Sequence, residues 1–150
     1  MADLNALEDW AGALLAKLSP TERRQLNQGI ARNLRRSQQQ RIATQQNPDG
    51  TPYAPRKSQK NLRSKKGRIR RQMFTKLRTA KLLKMQSTAN SIGIAFMNRA
   101  ARIARTHQYG LKDRPGRGQP DVRYERRELL GFSPDELDSI RDQLLAHLVP

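Results

Sequence analysis

The chain has 150 residues, 35% hydrophobic, 5% aromatic and 29% charged, enough for one modest core with much of the chain left in water. It has no cysteine, which excludes disulfides, thiolate metal sites and cysteine nucleophiles. Its net charge of +17 is confined to the stretch from Gly50 to Lys112, where 17 Lys and Arg occur without one Asp or Glu, so self-repulsion there calls for salt or an acidic partner.

Leu4, Leu7, Ala11, Leu14, Leu15 and Leu18 recur at three- and four-residue steps and predict an amphipathic helix. Ser19-Pro20-Thr21-Glu22 reads as a fresh N-cap, with Pro in the first turn and Glu three positions after the Ser, so a second helix starts at Pro20. Its apolar positions, Leu26, Ile30, Leu34 and Ile42, are sparse among Arg and Gln. Residues 1–46 are therefore expected to form a helical hairpin with a leucine seam and an outer surface rich in arginine and glutamine.

Residues 47–71 are expected to be a proline-rich turn followed by a mobile basic loop. The turn centres on Pro48, Asp49 and Gly50, and the loop, from Arg56 to Arg71, has only Leu62 and Ile69 as large apolar residues. Residues 72–150 read as the α+β part: a short helix around Met73 and Leu77, then strands at 82–86 and 92–96 joined by a turn at 87–91 as an antiparallel hairpin. A helix over 98–109 breaks at Gly110, a Pro- and Gly-rich loop follows, and Val122-Arg123-Tyr124 is expected to add a short third strand to the same sheet. Ser133-Pro134-Asp135-Glu136 repeats the earlier helix start, and Leu137, Ile140, Leu144, Leu145 and Leu148 offer the buried face of a C-terminal helix. The expected fold is one α+β domain with more helix than strand.

Little in the chain points to chemistry. His107 and His147 are the only imidazoles, neither accompanied by acidic residues at metal-ligand spacing, so no metal, cofactor or catalytic site is expected. His107 and Gly110 read as structural, serving backbone geometry like Pro48, Asp49 and Gly50. Gly116-Arg117-Gly118 lacks the third glycine and the setting of a nucleotide-binding loop. The candidate contact residues are the cations Arg56, Lys57, Lys60, Arg63, Lys65, Lys66, Arg68, Arg70 and Arg71, suited to phosphates or carboxylates. Nowhere do 18 apolar residues follow one another, and the N-terminus lacks a basic stretch before an apolar run, so a soluble intracellular product without membrane contact is expected.

Five stretches in order resemble the phage virion morphogenesis family, the tail-completion proteins of P2-like contractile-tailed phages. They are Ser37-Gln38-Gln39-Gln40 with Asn47-Pro48-Asp49-Gly50-Thr51-Pro52-Tyr53-Ala54-Pro55-Arg56, then Ser64 to Ile69, Met73 to Arg78, Arg102 to Leu111 and Arg126 to Gly131. The resemblance implies a structural protein, without catalytic residues, acting at the head-proximal end of a tail so that the tail can join a DNA-filled head. It also implies a small α+β domain forming a ring, often sixfold, assembled in the host cytoplasm and placed at the tail or neck of the virion. Acidic tail or neck proteins, or the DNA end, are the expected counter-surfaces of the basic loop. The competing expectation is a sequence-independent DNA-binding protein that uses the basic middle region.

Overall fold

The computed structural model describes residues 2–56 and 72–148. The elements are α1 (Ala2–Leu15), α2 (Pro20–Ala43), β1 (Leu83–Ser87), β2 (Ile92–Phe96), α3 (Arg99–Tyr109), β3 (Lys112–Asp113), β4 (Val122–Arg123) and α4 (Pro134–Leu148), a mixed α+β fold. Their contacts gather into two compact units, the first drawn from residues 1–37, 85–94 and 132–150 and the second from 38–84 and 95–131.

The core of the first unit is aliphatic. Leu7 of α1, Leu26 and Ile30 of α2, and Leu137 and Leu144 of α4 form one buried cluster, with Leu4, Ala11, Leu18, Ile92 and Ile140 packed around it. Of the expected apolar faces, the side chains of Leu14, Leu15 and Leu148 lie outside what is described, and Leu145 is 46% exposed. On a helix already buried through Leu137, Ile140 and Leu144, Leu145 falls beside the stripe rather than on it. The seam is not that of an α1–α2 hairpin alone: α1 packs against α4, and α2 adds Leu26 and Ile30 to the same cluster. Both Ser-Pro starts behave as caps. The Glu22 amide donates to Ser19 Oγ at 3.3 Å and the Glu136 amide to Ser133 Oγ at 3.1 Å, each satisfying a first-turn N–H that has no partner within its helix.

β1 and β2 pair as a hairpin whose turn is closed by the Thr88 amide on the Ser91 carbonyl at 2.8 Å, with Thr88 Oγ1 accepting the amides of Asn90 and Ser91. The buried Asn27 of α2 donates to the Thr88 carbonyl at 2.8 Å.

Two expectations for the second unit change. The segment after Met73 is a run of turns, not a helix: Phe74 sits at φ 68°, left-handed backbone that cannot open a right-handed helix, and the bonds that follow are isolated, Arg78 to Phe74 and Thr79 to Lys76. The strand at 122–123 exists but does not extend the hairpin; it pairs antiparallel with β3, Lys112 opposite Arg123 and Asp113 opposite Val122. Gly110 turns the chain back at φ 64° directly after α3, which brings residues 112–113, not the hairpin, alongside it.

Candidate functional site

Between β4 and α4 the chain runs from Tyr124 to Gly131 in neither helix nor strand, so its backbone groups need partners other than a ladder. Side chains supply them. Gln108 of α3 accepts the amides of Leu129 and Leu130 at 2.8 and 3.0 Å and donates to the Leu130 carbonyl at 2.8 Å. Gln38 of α2 donates to the Gly131 carbonyl at 2.8 Å and accepts its amide at 3.2 Å. A carboxamide carries one acceptor and one donor face, as a peptide does, so each glutamine stands in for a neighbouring strand. Arg41 donates to the carbonyls of Leu129 and Gly131 and to Gln38 Oε1, which holds that glutamine in place.

The same frame grips both flanks of the basic segment. Before it, the Tyr53 hydroxyl donates to the Glu128 carbonyl at 2.9 Å, and the guanidinium of the buried Arg127 donates to the carbonyls of Ala54 and Pro55 at 2.8 and 3.1 Å. After it, Gln45 donates to the Met73 carbonyl at 2.9 Å and accepts the Met73 amide at 2.8 Å. The rings of Tyr53, Phe74, His107 and Tyr124 form an edge-to-face row with centroid separations of 5.8, 4.7 and 4.8 Å, so residues 53 and 74 also touch directly. Burial, aided by the nearby Arg127 and Arg56 charges, pushes the His107 imidazole down to about 4, so it is neutral at pH 7. Burial pushes the Tyr53 phenol up to about 12.

Asn47 to Gly50 is a tight turn, closed by the Gly50 amide on the Asn47 carbonyl at 2.9 Å with Gly50 at φ 89°. The Asp49 carboxylate accepts the hydroxyl and amide of Thr51, which hold its carboxyl below the usual range. Pro48 packs on Gly131 so closely that a Cβ at Gly131 would stand 2.6 Å from Pro48 Cγ. Asn47 reaches across to accept the Glu128 amide at 2.9 Å. The His107 carbonyl accepts the Arg127 amide at 2.8 Å, and at Gly110 a Cβ would meet the Arg126 backbone nitrogen at 3.2 Å. Arg56 is exposed at the edge of the described chain, whereas Lys57, Lys60, Arg63, Lys65, Lys66, Arg68, Arg70 and Arg71, the expected mobile loop, lie outside the described residues.

Sequence reasoning placed Gln38 and Arg41 on a wet outer surface; they are 2% and 9% exposed. It did not single out Gln45, Gln108 or Arg127. The signal was present in α2, where the stripe Leu26, Ile30, Leu34 continues at helical spacing through Gln38, Arg41 and Ile42. Polar residues on a core stripe announce backbone that must be satisfied inside. The arrangement positions main chain. Among the described residues, no group of three or more His, Asp or Glu could hold a metal ion, and no helix is long and apolar enough to cross a membrane.

The model of the phage virion morphogenesis family matches residues 2–149. Tail completion protein S of Escherichia phage P2 is 38% identical over 149 residues, which cover 99% of this chain and 99% of that protein. No solved structure matches. Four of the five stretches that carry the resemblance, those around 37–56, 73–78, 102–111 and 126–131, meet in the side-chain frame just described.

Proposed function

This chain belongs to the phage virion morphogenesis family, and on that premise we propose that it completes the head-proximal end of a phage tail so that the tail can join a DNA-filled head. It acts as structure, in a ring of identical copies, with the basic segment Arg56 to Arg71 meeting an acidic surface of a neighbouring tail or neck protein. The full-length likeness to a tail completion protein supports this reading. The frame adds a physical rationale: it clamps residues 53–55 and 73, so the cations between them are carried on fixed ends. Several such segments in one ring repel one another until an acidic surface lies against them, which makes locking conditional on the partner.

The test uses a phage with an early stop codon in this gene, viewed by electron microscopy before and after the purified protein is added. Separate filled heads and tails, joined on adding the protein, are expected; normal joined virions without it would overturn the reading. A variant with Lys65, Lys66, Arg68, Arg70 and Arg71 replaced by serine should keep the wild-type circular dichroism and fail to restore joining.

The acid-free stretch with 17 cations favours a second reading, sequence-independent DNA binding. It predicts tight, steeply salt-dependent retention of any duplex by the isolated chain, where the assembly reading predicts weak retention.

A further inference from the structure

Charge is divided between the two compact units. In the described residues the second unit holds 15 Lys and Arg against five Asp and Glu, the first seven against eight. In the first unit the acids gather on two helices: α1 has three and no cation, and α4 has Asp135, Glu136, Asp138 and Asp142 against Arg141 alone. Asp135, Asp138 and Asp142 are exposed and spaced three and four apart, one stripe on one helix face, and Leu145, 46% exposed, continues it by another three. In the second unit α3 carries a stripe of opposite sign. Arg99, Arg102 and Arg105 are exposed at three-residue steps, and Tyr109, 62% exposed, continues them by four. Each stripe is thus about three charges long and ends, toward its C-terminus, in one large apolar side chain.

We propose that copies of this chain join head to tail, the acidic stripe of α4 in one copy seated on the basic stripe of α3 in the next. The partner of each face is a second copy of the chain. The two surfaces differ, so the contact is heterologous, and repetition of such a contact generates a ring when the rotation closes. Opposite charge steers the encounter and sets the register, and the exposed side chains Leu145 and Tyr109 supply burial. Within a copy Arg102 pairs with Asp113 and Asp138 with Arg141, surface pairs that contribute little and can be exchanged for pairs across a contact, while Arg99, Arg105, Asp135 and Asp142 are exposed. A phosphate backbone would use the basic stripe alone and be repelled by the acidic one, so a nucleic acid accounts for only half of the observation. The inference rests on the ring reading given above and specifies the faces that build it.

Two charge-reversed variants test it. Asp138→Lys with Asp142→Lys makes both faces basic, and Arg99→Glu with Arg105→Glu makes both acidic; Arg102 stays, since it bridges to Asp113. Masses are read by light scattering over a range of concentrations in about 50 mM salt, where surface charges act over roughly 10–15 Å. Wild type should form multimers that loosen in high salt, each variant alone should fall to the 17.2 kDa monomer, and an equimolar mixture should restore multimers, because every contact in an alternating assembly is again opposite in sign. If wild type assembles and both variants assemble equally well alone, these faces are not the interface and the ring reading survives. If wild type stays monomeric throughout, the ring reading and this inference fall together. The absence of native cysteine gives a second measurement that needs no charge reversal. Oxidising a mixture of tagged Leu145→Cys and untagged Tyr109→Cys should yield mixed dimers in large excess over like dimers; a random distribution would overturn the proposal.

Discussion

Gly131 has no room for a side chain. A Cβ there would lie 2.6 Å from Pro48 Cγ, and the residue is gripped by Gln38 through both of its backbone groups, so it cannot easily shift away. Gly131→Ala should lower stability by about 1–3 kcal/mol through overpacking. Denaturant titration checks this, and Pro48→Ala in the same chain should return part of the loss, a coupling that two unrelated defects would not show. Gln108 answers for three backbone groups, the amides of Leu129 and Leu130 and the Leu130 carbonyl. Gln108→Leu keeps the volume and strips all three, at about 2–4 kcal/mol, since part-buried peptides lose partners that an apolar side chain cannot replace. His107 sets a pH dependence. Unfolded, the ring takes up a proton as pH falls through about 6.5; folded, it does so only near 4, so between those values the unfolded state binds more protons and stability is lost as the pH is lowered. The melting temperature should therefore be level above pH 7 and decline from about pH 6.5 to 4, by the equivalent of 1–2 kcal/mol once solvent screening of the half-exposed ring is allowed for. His107→Phe keeps an edge-to-face ring between Phe74 and Tyr124 and should remove that part of the slope.

The elements differ in how far local sequence decides them. α2 and α4 start at Pro20 and Pro134 because Ser19 and Ser133 offer a hydroxyl to the amide three residues on. Ser19→Ala and Ser133→Ala should each cost about 1 kcal/mol in a thermal melt, and Asp or Thr at the same positions should cost much less. Such starts are legible in four consecutive residues. The end of α3 is equally local, Gly110 supplying left-handed backbone so that the Leu111 amide can reach the Thr106 carbonyl at 2.8 Å. Pairings over long separations were not legible. Nothing within α1 says that α4 will cover it, and alternation in Val122-Arg123-Tyr124 marks a strand without naming Lys112–Asp113 as its partner. The frame around residues 127–131 was hidden for a different reason. Composition treats Gln and Arg as solvated, yet Gln38 and Arg41 are buried because a segment without a ladder partner delivers peptide groups to them. Sequence alone drew attention to the Pro-Asp-Gly turn and the His-Gln-Tyr-Gly segment, but not to the reason they matter to each other, which is Asn47 and Gln108 holding the neighbouring amides of Glu128 and Leu129.

For the molecule as a whole, the uneven charge makes the two units respond differently to salt. The second unit holds 15 described cations against five acids, and residues 57–71 add eight more cations without an acid, whereas the first unit is close to neutral. Like charges gathered in one unit work against its compact state, and ions weaken that repulsion as the screening length falls from about 14 Å in 50 mM salt to about 4 Å in 0.5 M. Raising salt over that range should therefore raise the melting temperature, and hydrogen exchange should place the gain in amides of residues 38–56, 72–84 and 95–131 more than in those of α1 and α4. The serine variant at Lys65, Lys66, Arg68, Arg70 and Arg71 removes five of those cations and should melt higher than wild type in low salt and level with it in high salt. Matching melting temperatures for the two proteins at every salt concentration would mean that these five charges do not oppose folding. The basic segment would then place no strain on the isolated chain, and an acidic partner would gain nothing from relieving it.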